Sequence, residues 1–155
     1  MGRVTISDSL AKQRCALYLR GLGYKNIARP KGQSCDLLAE KNGLTYMFEI
    51  KYSSKRSGFG FFGTVMFTEL FQAVTNEDRY YFLVCRGGNS GKWLFKLFSL
   101  EDFLRFCTLT TPIGHYRMTF DSKENVQVPR FGKKSVLITK MMIRDIWKRY
   151  RKVKP

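Results

Sequence analysis

Two apolar segments, 35–40 and 45–52, flank Lys41-Asn42-Gly43, and this arrangement constrains the chain more than any other feature. An Asn-Gly pair between two strand-like runs readily takes the positive backbone angles of a tight hairpin turn. The two segments are therefore expected to fold back on each other. Side chains alternate along a strand, so Tyr46, Phe48 and Ile50 share one face, while Met47, Glu49 and Lys51 share the other. Glu49 and Lys51 side by side on an otherwise apolar strand are costly to bury unless they are paired or bound to a metal. Asp36 opens the first strand, thirteen residues before Glu49. The hairpin is expected to bring Asp36 and Glu49 together at one end of a sheet.

The rest of the chain supplies further elements. Ala11, Cys15, Tyr18, Leu19 and Leu22 recur at helical spacing and predict a helix over 9–22, closed by Gly21 or Gly23. A short segment at 26–29 leads into a Pro30-Lys31-Gly32 turn. Residues 53–63, rich in Gly, Ser, Phe and basic side chains, read as a loop. A second helix fits 66–74, with Phe67, Leu70, Phe71 and Val74 on one face. Residues 79–85 are nearly all apolar, as in a strand buried on both faces. A strand over 92–98 and a short helix carrying Leu100, Phe103, Leu104 and Cys107 follow. Strands at 115–120 and 136–139 and a terminal helix over 141–150 complete the reading. This order predicts an α/β fold with a central mixed β-sheet flanked by helices. Residues 1–107 are expected to form the core, with 108–155 a basic extension packed on the same domain.

The chain has 155 residues, and 28 Lys or Arg face 12 acids, for a net charge of +16. Such an excess repels itself and points to a polyanionic partner, nucleic acid before an anionic membrane surface. No apolar run is long enough for a membrane helix, and no signal peptide is visible. The four cysteines lack C-x-x-C spacing and there is a single His115, which argues against a zinc site and against histidine catalysis. A reducing cytoplasm is the expected compartment.

Two carboxylates converging beside a lysine suit phosphodiester chemistry. Hard oxygen donors select Mg²⁺, with Mn²⁺ as a substitute; the metal would polarise a phosphate and acidify a bound water. Lys51 could orient that water or stabilise the transition state. The tripeptide Glu-x-Lys alone is a weak signal, and a surface Glu–Lys pair is the alternative. The apolar strand and the paired Asp36 strand make the motif more specific.

Asp36 and Glu49-Ile50-Lys51, preceded by a helix, resemble the PD-(D/E)XK (restriction-endonuclease-like) nuclease superfamily, with Cys35 where the motif's Pro would stand. Gln13-Arg14, Gly23-Tyr24, Arg29-Pro30 and Trp93 make the chain most similar to archaeal-type Holliday-junction resolvases over residues 9–104. The resemblance implies a restriction-endonuclease-like core and a metal-dependent endonuclease selective for branched DNA, acting as a homodimer. Asp36, Glu49 and the backbone carbonyl of Ile50 would hold the metal, with Lys51 beside the attacked phosphate. Gln13 stands where those resolvases carry a Glu, which weakens the grip on a cation. Asp8 could replace it only if the helix starts later than Ser9. The expected compartment is the cytoplasm, or a host's cytoplasm if the protein is phage-encoded.

DNA contacts are expected from Arg14, Arg29 and Lys31, and from Lys55 and Arg56 in the loop that follows the active strand. Residues 130–154 hold ten Lys or Arg and one acid, Asp145. There Ile143, Ile146, Trp147 and Tyr150 would anchor a helix and leave Arg144, Lys148, Arg149, Arg151 and Lys152 for phosphates. Two other functions compete: a restriction, repair or transposon-type endonuclease of the same superfamily, and a non-catalytic nucleic-acid-binding protein with this fold.

Overall fold

The computed structural model describes residues 8–32, 35–53, 60–87, 92–109, 115–119, 123, 125–127 and 140–149. The chain divides into two compact units that interleave in sequence. One comprises Met1–Gly58 with Asp78–Ser99, the other Phe59–Glu77 with Leu100–Pro155.

The first unit is a helix on a five-stranded sheet. Its helix is α1 (Asp8–Gly21), and its strands are β1 (Lys25–Ala28), β2 (Leu37–Lys41), β3 (Leu44–Ser53), β5 (Tyr80–Arg86) and β6 (Leu94–Ser99). The order across the sheet is β1-β2-β3-β5-β6. All neighbours are antiparallel except β3 and β5, so the sheet is mixed, as expected from sequence. The hairpin forms at the expected place: Asn42 and Gly43 both have positive φ, 52° and 78°, and Lys41 pairs with Leu44. β1 is the segment at 26–29 shifted by one residue. Its pairing slips between Lys25 and Ala28, and Asn26 has φ 52°, a bulge at a residue type that tolerates the left-handed region.

Ala11, Cys15 and Leu19 of α1 are fully buried, four residues apart on one face. They pack with Leu37, Ala39, Phe48, Ile50, Leu83 and Cys85 into one apolar cluster. Leu22, one residue past the end of α1 and not within it as expected, does not join: it is 39% exposed. The helix closes at Gly21–Tyr24, where the N–H groups of Gly23 and Tyr24 donate to the carbonyls of Arg20 and Leu19 at 3.0 and 3.1 Å. That geometry turns Tyr24 inward and leaves Leu22 outward. β5 is buried on both faces, with Tyr80 and 82–85 all buried, as its unbroken apolar run requires.

The second unit holds β4 (Gly60–Thr64), α2 (Phe67–Thr75), α3 (Leu100–Phe106), β7 (Thr108–Leu109) and β8 (His115–Thr119). Residues 140–149 are also helical and are called α4. A three-stranded sheet runs β4-β8-β7. β4 corrects the reading of 53–63 as loop: Ser53 ends β3, and Gly60–Thr64 pairs antiparallel with β8. Glycine depresses strand propensity, and only the partner strand overrides it. Gly63 pairs with Tyr116, and a Cβ at Gly63 would run into the Tyr116 ring and hydroxyl. Gly63→Ala is therefore expected to cost about 1–3 kcal/mol of stability through overpacking, read as a lower urea midpoint; an unchanged midpoint would show that the ring moves aside freely. Trp147 of α4 lies 4.9 Å from the Phe71 ring, Ile143 is fully buried, and Lys140 pairs with Glu77. Among the described residues no helix is long and apolar enough to cross a membrane.

Candidate metal centre on strand β3

The first unit brings the carboxylate strand and the Glu-x-Lys strand into contact. Leu37 pairs with Phe48, so Asp36, one residue ahead, comes alongside the Glu49–Ile50 step of β3. The Asp36 N–H donates to the Phe48 carbonyl at 3.0 Å. The Ile50 N–H donates to Asp36 Oδ2 at 2.8 Å. This charge-assisted bond holds the carboxylate against β3. The β2–β3 register stops at Phe48, so the Ile50 carbonyl lies beyond it.

Glu49 and Lys51 lie on the face of β3 opposite the Phe48–Ile50 core face, as alternation requires. Glu49 is among the few buried charged residues, 8% exposed. Lys51 Nζ is 3.6 Å from Glu49 Oε1, and the Tyr80 hydroxyl donates to Glu49 Oε2 at 3.4 Å. Both contacts are long. Desolvating two charges costs several kcal/mol per ion, and only close, well-oriented pairing recovers it. Glu49 and Lys51 thus hold opposite charges next to each other in surroundings largely closed to water. Sequence reading did not find Tyr80; it pairs with Met47 across the parallel β3–β5 ladder, a long-range register with no local signal.

The residue of α1 that reaches Asp36 is Lys12. Its ammonium is 3.5 Å from Asp36 Oδ1 and 3.0 Å from Asp8 Oδ2, four residues back on the helix. Hydrogen bonding to Asp8, joined by the field of Asp36, holds the Lys12 ammonium above its ordinary pKa against the opposing effect of burial. Sequence reading missed Lys12 because a lysine at helical spacing from an apolar stripe reads as solvated surface. Gln13 is exposed one residue further on. α1 begins at Asp8, so the later helix start that would bring Asp8 itself to the site is not met.

The expected DNA-contacting residues fall in several places. Arg14 is exposed and its guanidinium sits 5.7 Å from the Trp93 ring, a cation–π distance. Arg29 is exposed, 3.5 Å from Ser9 Oγ, and Lys31 is exposed in the turn after β1. Lys148 and Arg149 are exposed on α4. Lys55, Arg56, Arg151 and Lys152 lie outside the described residues. Arg144 corrects the expectation that it is left for phosphate: it pairs with Glu77 at 2.9 Å. His115 is exposed at the start of β8.

Among the described residues no three His, Cys, Asp or Glu side chains gather into a metal cluster. The candidate set is two carboxylates, Asp36 and Glu49, with the Ile50 carbonyl. All three are hard oxygen donors. Mg²⁺ commonly binds through one or two carboxylates, keeps its waters and takes the rest of its shell from substrate phosphate, so this donor set fits that ion.

Fold and site together define an α/β protein with a mixed sheet, Glu49 and Lys51 on its central strand β3, and Asp36 just ahead of β2, held by the Ile50 N–H and faced by Lys12 of α1. The chain is similar in structure to Hjc, a Holliday junction resolvase from the archaeal hyperthermophile Archaeoglobus fulgidus, with 17% identity and a TM-score of 0.46, over 72% of this chain and 82% of that one. It is also similar to the bacterial homing endonuclease I-Ssp6803I, with 16% identity and a TM-score of 0.48, over 93% of this chain and 99% of that one. No family model and no curated protein matches the sequence.

Proposed function

We propose that the protein is a Mg²⁺-dependent DNA endonuclease that hydrolyses phosphodiester bonds, selective for branched DNA such as Holliday junctions and acting as a homodimer. The observation that carries this reading is the Asp36 carboxylate held by the Ile50 N–H, one residue along β3 from Glu49, with Glu49 and Lys51 buried side by side on that strand. Asp36, Glu49 and the Ile50 carbonyl would hold the metal, which when bound supplies phosphate polarisation and a more acidic water. The Ile50 N–H orients Asp36 and the Tyr80 hydroxyl orients Glu49. Lys51, on the same face as Glu49, places a positive charge where the attacked phosphate gathers negative charge. Gln13 on α1 would contact water at the edge of the site. The net charge of +16 supplies the sequence-independent attraction to DNA, with Arg14, Arg29, Lys31, Lys55, Arg56, Lys148, Arg149, Arg151 and Lys152 as phosphate contacts. Four free cysteines suit a reducing compartment, and the cytoplasm is the proposed place of action.

A cleavage assay over four-way, nicked and linear DNA, with Mg²⁺ and with chelator, tests the reading. The expected result is metal-dependent cutting of the junction in preference to the linear duplex. Preference for linear duplex points instead to a restriction, repair or transposon-type endonuclease. Salt-sensitive binding of every substrate without cutting points to a non-catalytic DNA-binding protein, a reading that the Lys12 ammonium beside Asp36 favours.

A further inference from the structure

Asp36 has two carboxylate oxygens with different neighbours. Oδ2 accepts the Ile50 N–H at 2.8 Å. Oδ1 faces the Lys12 ammonium at 3.5 Å. A carboxylate oxygen has room for more than one partner, but the oxygen left for an incoming cation is the one on which a lysine already rests. An ammonium has no lone pair with which to join a metal's shell, so a dication at Asp36 meets Lys12 as a like charge.

The α1 backbone is pinned by the burial of Ala11, Cys15 and Leu19. The flexible four-carbon stem of Lys12 is what can move. Its closer partner is already Asp8, at 3.0 Å, and the Asp8 side chain is 62% exposed while those of Lys12 and Asp36 are 19% and 24% exposed. The ammonium can thus leave Asp36 without losing its shorter contact.

We propose that Lys12 is a tethered counter-ion for the Asp36 carboxylate, competing with a divalent cation there, and that Asp8 is the seat onto which it withdraws when the cation enters. This rests on the metal-dependent reading of the site. It makes Lys12 a residue that sets the strength of metal binding, with Asp8 acting through it as a positioning residue.

The test is Mn²⁺ binding without DNA, following free Mn²⁺ by electron paramagnetic resonance at fixed pH and ionic strength. Lys12→Met keeps the stem and removes the charge; it is expected to tighten binding by about tenfold, the effect of removing one close positive charge. Lys25→Met, which neutralises an exposed lysine of β1, controls for net charge and is expected to change binding by less than about twofold at moderate salt. Asp8→Asn is expected to weaken binding several-fold in the wild-type background, and to have little effect once Lys12 is Met, because coupled residues are not additive. Equal effects of Asp8→Asn in both backgrounds would overturn the role given to Asp8. Unchanged or weaker binding by Lys12→Met, while Asp36→Asn still abolishes a wild-type site, would overturn the Lys12 inference and leave the metal reading standing. If neither wild type nor Lys12→Met binds Mn²⁺ above the level of Asp36→Asn, the metal reading itself fails and takes this inference with it.

Discussion

Glu49→Gln is expected to lower Mg²⁺-dependent cleavage by about a hundredfold or more, equivalent to roughly 3 kcal/mol of lost transition-state stabilisation. The substitution keeps the size of the side chain and its hydrogen-bonding reach towards the Tyr80 hydroxyl, now 3.4 Å away. What it removes is the negative charge. Lys51, whose side chain is 11% exposed, then sits beside a neutral amide, so a stability cost accompanies the loss of activity. Single-turnover cleavage on the preferred substrate measures the first effect, and thermal unfolding of the same variant measures the second. Binding to DNA in chelator should be retained, because the proposed attraction to phosphate comes from the +16 charge of the whole chain and not from Glu49. A Glu49→Gln variant that cuts at the wild-type rate would remove Glu49 from the proposed site.

The largest effect on stability is expected at Phe48. This side chain is fully buried in the cluster between α1 and the sheet, with its ring 5.1 Å from Tyr24 and 6.1 Å from Tyr81. Phe48→Ala should cost about 3–5 kcal/mol, since the surrounding rings and strands cannot close over the space. Domains of this size are stable by only about 5–15 kcal/mol, so the variant should unfold at a far lower urea concentration. A loss below about 1 kcal/mol would mean that the α1 face of the sheet is not a tightly packed core. Phe48 also matters to the site, because its carbonyl receives the Asp36 N–H. A small shift of β3 would loosen the Asp36 carboxylate before the unit unfolds.

Several parts of the molecule were legible because their signals are local. The alternation over 45–52 placed Phe48 and Ile50 in the apolar cluster and Glu49 and Lys51 on the other face. The apolar run at 79–85 announced a strand covered on both sides. The face of α4 formed by Ile143, Ile146 and Trp147 was visible at helical spacing, and Ile143 is fully buried. Other parts were not legible. β4 is glycine-rich and is a strand only because β8 pairs with it. Arg144 looked like a spare cation, but Glu77, 67 residues away in sequence, takes it. Charge and spacing do not reveal which partner a long side chain will find.

By itself the sequence determined the hairpin, the faces of β3 and the close approach of Asp36 to the Glu49–Ile50 step, since all follow from one Asn-Gly turn and a two-residue period. Tertiary structure alone decided what surrounds those groups. The parallel register of β3 with β5 delivers the Tyr80 hydroxyl to Glu49, and the docking of α1 delivers Lys12 to Asp36. The physical reason is range: turn chemistry and side-chain alternation act over a few residues, while burial chooses which distant segments meet, and no short stretch of chain encodes that choice.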